Sequence, residues 1–433
     1  MDAAAQAQRV RASLPEGGLF AGHDWRIAPV PFPIEPKLAR ELEALGRILL
    51  QFYRAADLLY RQSADGRQPD WICRWLDQGK PDSIIELQRH SQFKTALPRV
   101  IRPDILLTED GWRITELDSV PGGIGLTAWL NQTYGQSENV IGGSTGMIDG
   151  FAGIFEGAAG IHIMVSKESA TYRPEMGWLA GQIGTHCAVR DTNFDGLNEG
   201  DGLYRFFELF DLPNIGMADS IFDLAGSGRL QLTAPPKAYL EEKMLFALFW
   251  NRNLRDFWQR ELGGKFFREL EKVIPQTWLV DPAPLPAHGA IPGLDITDWR
   301  QLAELSQKER QLILKISGFN ERAWGARSVR LGSDLSQTEW AAAVDEAIQS
   351  FEQSPWILQR FEKPKRVRHE WFDFEKQEVI PMDGRVRLCP YYFVHGGNDV
   401  KLGGVLATVC PANKKIIHGM SEAILMPCAV VVN

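Results

Sequence analysis

The sequence predicts a mixed α/β (α+β) protein of two or three packed units, and three observations carry that expectation. A long amphipathic helix stands near the start, a turn-bounded hairpin follows near residue 102, and strand-like and helix-like stretches alternate from residue 161 to about 230. At 433 residues the chain is several times a typical domain length, so a single core is not expected to hold it. Its 44% hydrophobic and 24% charged content, with 14 Trp and 22 Phe, excludes wholesale disorder.

Taken in order, residues 36 to 63 place Leu38, Leu42, Leu45, Leu49, Phe52 and Ala56 at three- and four-residue spacing, which makes one apolar helix face. A Pro-rich lead-in, PVPFPIEP, precedes it. RPDILLTEDGWRIT, residues 102 to 115, reads as two strands around the Glu109-Asp110-Gly111 turn. Glycine-rich VPGGIG and IGGSTG come next, the second leading into a helix-like GMIDGFAGIF. IHIMV at 161 to 165 begins the βα pattern, with a helix near Glu175 to Leu179, a strand near Cys187 to Val189, and a boundary at Ala234-Pro235-Pro236. Residues 238 to 273 are strongly helical. LILKIS at 312 to 317 is a strand, SGFNERAWGARSV a polar loop, Gln337 to Glu352 a helix and WILQRF at 356 to 361 another strand. The strand-rich GRVRLCPYYFV and GGVLATVC close the pattern.

Charge narrows the function classes. A net charge of -8 and a pI near 5.6 argue against a nucleic-acid partner, because phosphate binding needs a basic surface. The one basic run, Lys363-Pro364-Lys365-Arg366-Val367-Arg368, reads as a solvated turn after a strand. Cys73, Cys187, Cys389, Cys410 and Cys428 include no C-x-x-C pair and read as reduced core residues of a cytoplasmic protein. No apolar leader and no window near 18 uninterrupted apolar residues is found, so no membrane partner is expected.

Chemistry concentrates in RPDILLTEDGWRITELDSVPGGIG. Glu116 and Asp118, two apart on one strand, project from one face, and Asp104 stands on the partner strand. Three carboxylates can converge there on a cation, and all-oxygen donors favour magnesium; a solvent-facing acidic hairpin is the alternative. Lys315 lies in the apolar strand LILKIS, where a buried ammonium needs an anion, either a phosphate or a buried carboxylate. Lys243, in YLEEKMLFALFW, reads from its apolar neighbours as a snorkelling helix lysine. Arg385 and Arg387 share one strand face and suit forked recognition of phosphate or carboxylate, or else cross-strand ion pairs. Glu175, Arg205 and Glu208 read as structural helix charges, with substrate-side groups of the central α/β unit as the alternative. Lys265 follows two glycines but lacks the Ser or Thr of a phosphate-binding loop, and the eight histidines lack zinc-ligand spacing.

Arg-x-Asp, a hairpin, then Glu-x-Asn-x-x-Pro-Gly is the metal-binding signature of ATP-grasp ligases. This segment resembles it as Arg102-Pro103-Asp104 and Glu116-Leu117-Asp118-Ser119-Val120-Pro121-Gly122, with Asp118 where most members have Asn. The motif precedes the nucleotide-type strands instead of following them, an order similar to the circularly permuted branch that includes glutathionylspermidine synthase. The resemblance implies a circularly permuted ATP-grasp fold: an N-terminal helical segment (1–99), the metal-binding hairpin and linker (100–160), a central α/β pre-ATP-grasp-like substrate domain (161–234) and the nucleotide-binding subdomains (235–433).

It further implies ATP and Mg2+ as cofactors. Asp104, Glu116 and Asp118 would take the metal, Lys243 and Lys315 the phosphates, and Gly318 would open a mobile lid from Ser317 to Ser328. Backbone groups around Gln359 and Phe361 would read the adenine, and Arg102, with Arg385 and Arg387, would stabilise the reacting groups. The implied reaction joins a small-molecule or peptide carboxylate to an amine through an acyl phosphate, with no Ser, Cys or His nucleophile. A phosphotransferase or a non-catalytic nucleotide-binding protein of the same fold are the alternatives, and oligomeric state is open.

Overall fold

The computed structural model describes residues 2–21, 24–136, 138–286, 289–417 and 420–431. The chain divides into two compact units, one of Met1–Leu50, His90–Pro236 and Lys363–Asn433, the other of Gln51–Arg89 and Lys237–Glu362. The amphipathic helix is Pro36–Ala64 and passes from the first unit into the second. Among the described residues no helix is long and apolar enough to cross a membrane.

The first unit holds two sheets. In the larger, six strands run in the order Arg26–Ile27, Ile424–Val430, Asp399–Pro411, Glu378–His395, Val100–Thr108 and Gly111–Asp118, with Arg366–Asp373 beside Glu378–His395 and Phe32–Ile34 beside Ile424–Val430. The expected hairpin is its last pair. The smaller sheet is wholly parallel, in the order Cys187–Arg190, Ile161–Val165, Gly202–Phe206, Gln231–Thr233. Parallel neighbours need crossover connections, and the helices Arg173–Ile183 and Ala218–Gly226 stand in two of them. This is the βα alternation read from the sequence. Helices Ile124–Tyr134, Gly146–Gly153 and Arg173–Ile183 share a core with the larger sheet, including Trp129, Phe151, Met176, Tyr391 and Phe393.

The second unit is built on an antiparallel sheet ordered Arg330–Leu331, Leu312–Ile316, Trp356–Arg360, Thr277–Leu279. Its core gathers Trp278, Trp299, Trp340 and Trp356 around Leu314 and Leu358, with the helix Gln337–Gln349 supplying Ala343, Val344 and Ala347. That helix starts on a capping box, Ser336 accepting from Glu339 N while the Glu339 side chain accepts from Ser336 N. Elsewhere in the unit Asp57 is buried but satisfied. It accepts from Lys237 Nζ at 2.6 Å, Tyr239 Oη at 2.7 Å and Arg61 Nε at 2.8 Å, and Tyr239 stacks on Tyr60.

Residues 238 to 273 are helical as expected, in two main pieces, Met244–Trp250 and Arg255–Val273, and the second bends at Gly263, whose φ of 70° is outside helical space. One stretch differs from expectation. The basic run is not simply a turn. Arg366 and Arg368 lie in the strand Arg366–Asp373 on its exposed alternate positions, so the strand period itself keeps both charges in water. All five cysteines are free and buried.

Candidate functional site

In the acidic hairpin, Arg102 lies opposite Asp118 and Asp104 opposite Glu116. Because directly opposed residues of an antiparallel pair project to the same side, all four charged groups share one face. Asp104 is 5% exposed. Arg102 bridges the two aspartates, Nε standing 3.2 Å from Asp104 Oδ1 and Nη2 3.1 Å from Asp118 Oδ2. Arg387, from the neighbouring strand Glu378–His395, donates from Nη1 to Asp104 Oδ2 at 3.0 Å, and the Cys389 thiol donates to Oδ1 at 3.4 Å.

The glycine turn after the hairpin is fixed by the same groups. Asp118 Oδ1 accepts from Val120 N at 2.8 Å, and the Gly122 carbonyl accepts from Arg102 Nη1 at 3.1 Å and Tyr391 Oη at 2.8 Å. A Cβ at Gly122 would stand 2.2 Å from the Tyr172 ring, and Gly123 has a φ of 85°. Both positions therefore demand glycine. Helix Ile124–Tyr134 begins there, and its first amides are taken by Glu175: Oε1 accepts from Gly123 N and Oε2 from Leu126 N, each at 2.7 Å.

The electrostatics follow from this packing. Burial pushes the Glu175 carboxyl up to about 7, against the pull of the Leu126 and Gly123 amides and of Arg102. Desolvation likewise raises Asp118, with Arg102 and the Val120 amide opposing it and Glu116 and Asp104 reinforcing it. Burial lifts the Cys389 thiol to about 12, with the Asp104 charge adding to the rise, so it is protonated at neutral pH and can act as a donor.

Carboxylate oxygens are the donors magnesium takes, so the chemistry of Asp104, Glu116 and Asp118 fits that ion. Asp104 and Asp118 are bridged here by the Arg102 guanidinium. Among the described residues no group of three or more His, Cys, Asp or Glu side chains is placed to hold a metal. Arg102 and Arg387 supply the positive charge next to Asp104 and Asp118. Arg385 is not brought into this cluster; its Nη1 donates to the Lys414 carbonyl at 2.9 Å. His23, His288 and His418 lie outside the described residues.

In the second unit, Lys315 lies on the strand Leu312–Ile316, opposite Ile357 and buried. Lys243 is not inside a helix but immediately ahead of Met244–Trp250; its N donates to Ser317 O at 2.9 Å and its Nζ to Ala323 O at 3.0 Å. Both contacts are with the loop that Gly318 opens. Gln359 is buried and its Nε2 donates to Thr277 Oγ1 at 3.0 Å, while Phe361 N is committed to Gln311 O at 3.0 Å. The Phe361 amide thus has a partner within the protein.

Two of the three residues read as helix charges behave differently from one another. Glu175 does sit in the first turn of a helix, but fully buried; Arg205 is on the strand Gly202–Phe206, also fully buried, and donates to the Ala234 and Phe207 carbonyls. Glu208 precedes the short turn Leu209–Asn214. Sequence reasoning missed Tyr391 and Cys389, although their alternation with Arg387 along one strand could have indicated a shared face.

No protein-family model matches the sequence, and no curated protein matches it. Solved structures do. A glutathione synthetase-like effector from Globodera pallida, in its apo form, aligns over 99% of this chain and 96% of its own, with a TM-score of 0.53 at 12% identity. A Methylobacillus flagellatus KT protein assigned provisionally as gamma-glutamylcysteine synthetase aligns over 85% of this chain and 86% of its own, with a TM-score of 0.40 at 12% identity. The mixed α/β architecture is thus shared with a glutathione synthetase-like protein. At such identity the likeness concerns the fold alone.

Proposed function

We propose that the chain is an ATP-dependent ligase of the circularly permuted ATP-grasp type, joining a carboxylate to an amine. The observation that carries this reading is the Arg102, Asp104, Glu116 and Asp118 face of the hairpin with Arg387 beside it, set ahead of a glycine turn, in a chain that shares its fold with a glutathione synthetase-like effector. Holding of Mg2+ by Asp104, Glu116 and Asp118 would require Arg102 to release the two aspartates it bridges, and the ion would then offset charge on the phosphates. Arg102 and Arg387 would orient and neutralise the substrate carboxylate and the transferring phosphoryl group. Lys243 and Lys315 would contact the phosphates, under the loop that begins at Gly318, and backbone groups near Gln359 would meet the base.

In the reaction the acid's oxygen takes the γ-phosphoryl group and ADP departs; the amine nitrogen then attacks the acyl carbon, phosphate leaves and the amine loses a proton. A second reading, a non-catalytic nucleotide-binding protein, is favoured by one observation: Asp104 and Asp118 are already balanced by guanidiniums. A panel of acids and amines assayed for stimulated ADP release with Mg-ATP separates the two. Stimulation by one acid-amine pair, with amide product, is the expected result; nucleotide binding without any turnover would establish the second reading instead.

A further inference from the structure

The loop after the strand Leu312–Ile316 is anchored by groups to which the ligase reading gives no role. Glu242 forms an ion pair with Lys80, 162 positions away, the two side chains being 3% and 1% exposed. Lys80 Nζ also donates to Leu76 O at 2.6 Å and stands 5.6 Å from the centre of the Phe319 ring. The other Glu242 oxygen accepts from the Ser317 hydroxyl, whose Oγ in turn accepts from Met244 N at 2.9 Å. A Cβ on Gly318 would lie 2.9 Å from the Glu242 carboxyl carbon. The far end of the loop is tied by Ile316 N donating to Ser328 Oγ at 3.1 Å. Between the two ties, Phe319 and Ala326 hold φ of 40° and 59°, values that non-glycine residues keep only when their surroundings impose them.

We infer that Glu242, its charge balanced by Lys80, is a positioning residue that fixes the base of the Ser317–Ser328 loop and the adjoining Lys243. A buried ion pair adds little net stability by itself, because desolvation offsets the Coulomb attraction. What this pair supplies is direction. One carboxylate oxygen is held by Lys80, which leaves the other aimed at Ser317, and Lys243 follows Glu242 with its N–H on Ser317 O. Lys243 is thereby referenced to the loop at both its backbone and its ammonium. The consequence for ligand binding rests on the nucleotide reading above: Glu242 touches no phosphate and acts through Ser317 and Lys243.

The test uses the full chain and two variants. Ser317→Ala removes the hydroxyl and leaves the ion pair, and Lys80→Met with Glu242→Gln removes both charges together, so no lone buried charge remains. Hydrogen exchange of the Ser317–Ser328 amides, without nucleotide, should accelerate about tenfold or more in both, while the sheet amides keep their protection. Kd for ATP should rise about tenfold, with KM rising and kcat nearly unchanged. Unchanged loop exchange in both variants, or acceleration spread evenly over the whole chain, overturns the inference. Should the double variant fail to fold, Ser317→Ala decides alone. If the wild-type chain binds no ATP while the loop still responds, the nucleotide reading falls and the positioning role stands. If ATP binds all three chains equally and loop exchange is unchanged, the inference falls and the ligase reading is untouched.

Discussion

Glu175 Oε1 accepts the amide hydrogen of Gly123 at 2.7 Å, across 52 positions of sequence, so a fully buried carboxylate closes the glycine turn that follows the acidic hairpin. The groups around it are Arg102 from the hairpin, Tyr391 from the long strand, Tyr172 just ahead of its own helix, and the Gly123, Gly125 and Leu126 amides. Its carboxyl is raised to about 7 from 4.5. The native state therefore holds the proton more tightly than the unfolded chain, which reverses the behaviour of an ordinary paired carboxylate. Stability contributed by the protonated group is present below about pH 4.5 and is lost as pH rises through 7. The total is on the order of 3 kcal/mol. Urea unfolding at pH 5 and pH 8 should show this fall in the wild type and a much flatter profile in Glu175→Gln; identical slopes would remove Glu175 as its source.

Arg102 holds Asp104, Asp118 and the Gly122 carbonyl at once. Arg102→Met should cost on the order of 3 kcal/mol, because Asp104 stays buried with one guanidinium fewer. Adding Asp104→Asn should recover part of the loss. A double-mutant cycle is expected to give a coupling above about 1 kcal/mol, and strict additivity would mean that the bridge does not stabilise the fold.

Glu116→Gln keeps the shape of the side chain and removes the charge opposite Asp104. Magnesium-dependent ADP release should fall by about a hundredfold, equivalent to about 2.7 kcal/mol. Glu109→Gln, at the exposed hairpin turn, is the matched control and should leave the rate within about twofold. Equal effects of the two would show that the carboxylate face serves only as surface.

Lys315→Ala deletes a buried ammonium from a strand whose other residues, Leu312, Ile313, Leu314 and Ile316, are apolar. Mg-ATP at about a hundred times its Kd should add about 2.7 kcal/mol to the wild type, several degrees in Tm. The variant should lose most of that shift while its ligand-free Tm changes little. A collapse of the ligand-free Tm instead would identify Lys315 as a member of a structural ion pair.

Much of the fold was legible because its signals are local. The apolar stripe of Pro36–Ala64 needs only helical spacing, and the hairpin needs only alternation about Glu109-Asp110-Gly111. The βα alternation from Ile161 onward was readable for the same reason. The partners in the candidate site were not. Asp104 and Arg387 are 283 positions apart, and no local pattern links them. Glu175 resembled any first-turn helix acid, since burial depends on what the rest of the chain brings over it. In AYLEEKML two adjacent glutamates look alike; Glu242 rather than Glu241 is the buried one because Lys80 and Ser317 face it.

That separation of 283 positions bears on how the chain is made. A ribosome delivers Arg102, Asp104 and Asp118 long before the strand Glu378–His395, and Lys237–Glu362 of the second unit is synthesised in the interval. Until Arg387 emerges, the hairpin has no neighbour for its Val100–Thr108 edge, and Asp104 has lost neither its water nor its need for a second cation. An unpaired edge of this kind invites pairing with another chain. The order of delivery favours the second unit maturing first, with the first unit's large sheet closing afterwards over a long loop, a slow step by the entropy of bringing such distant segments together. A nascent chain stalled before Glu378 should therefore expose the hairpin to chaperones and proteases, while its Lys237–Glu362 segment is already protected.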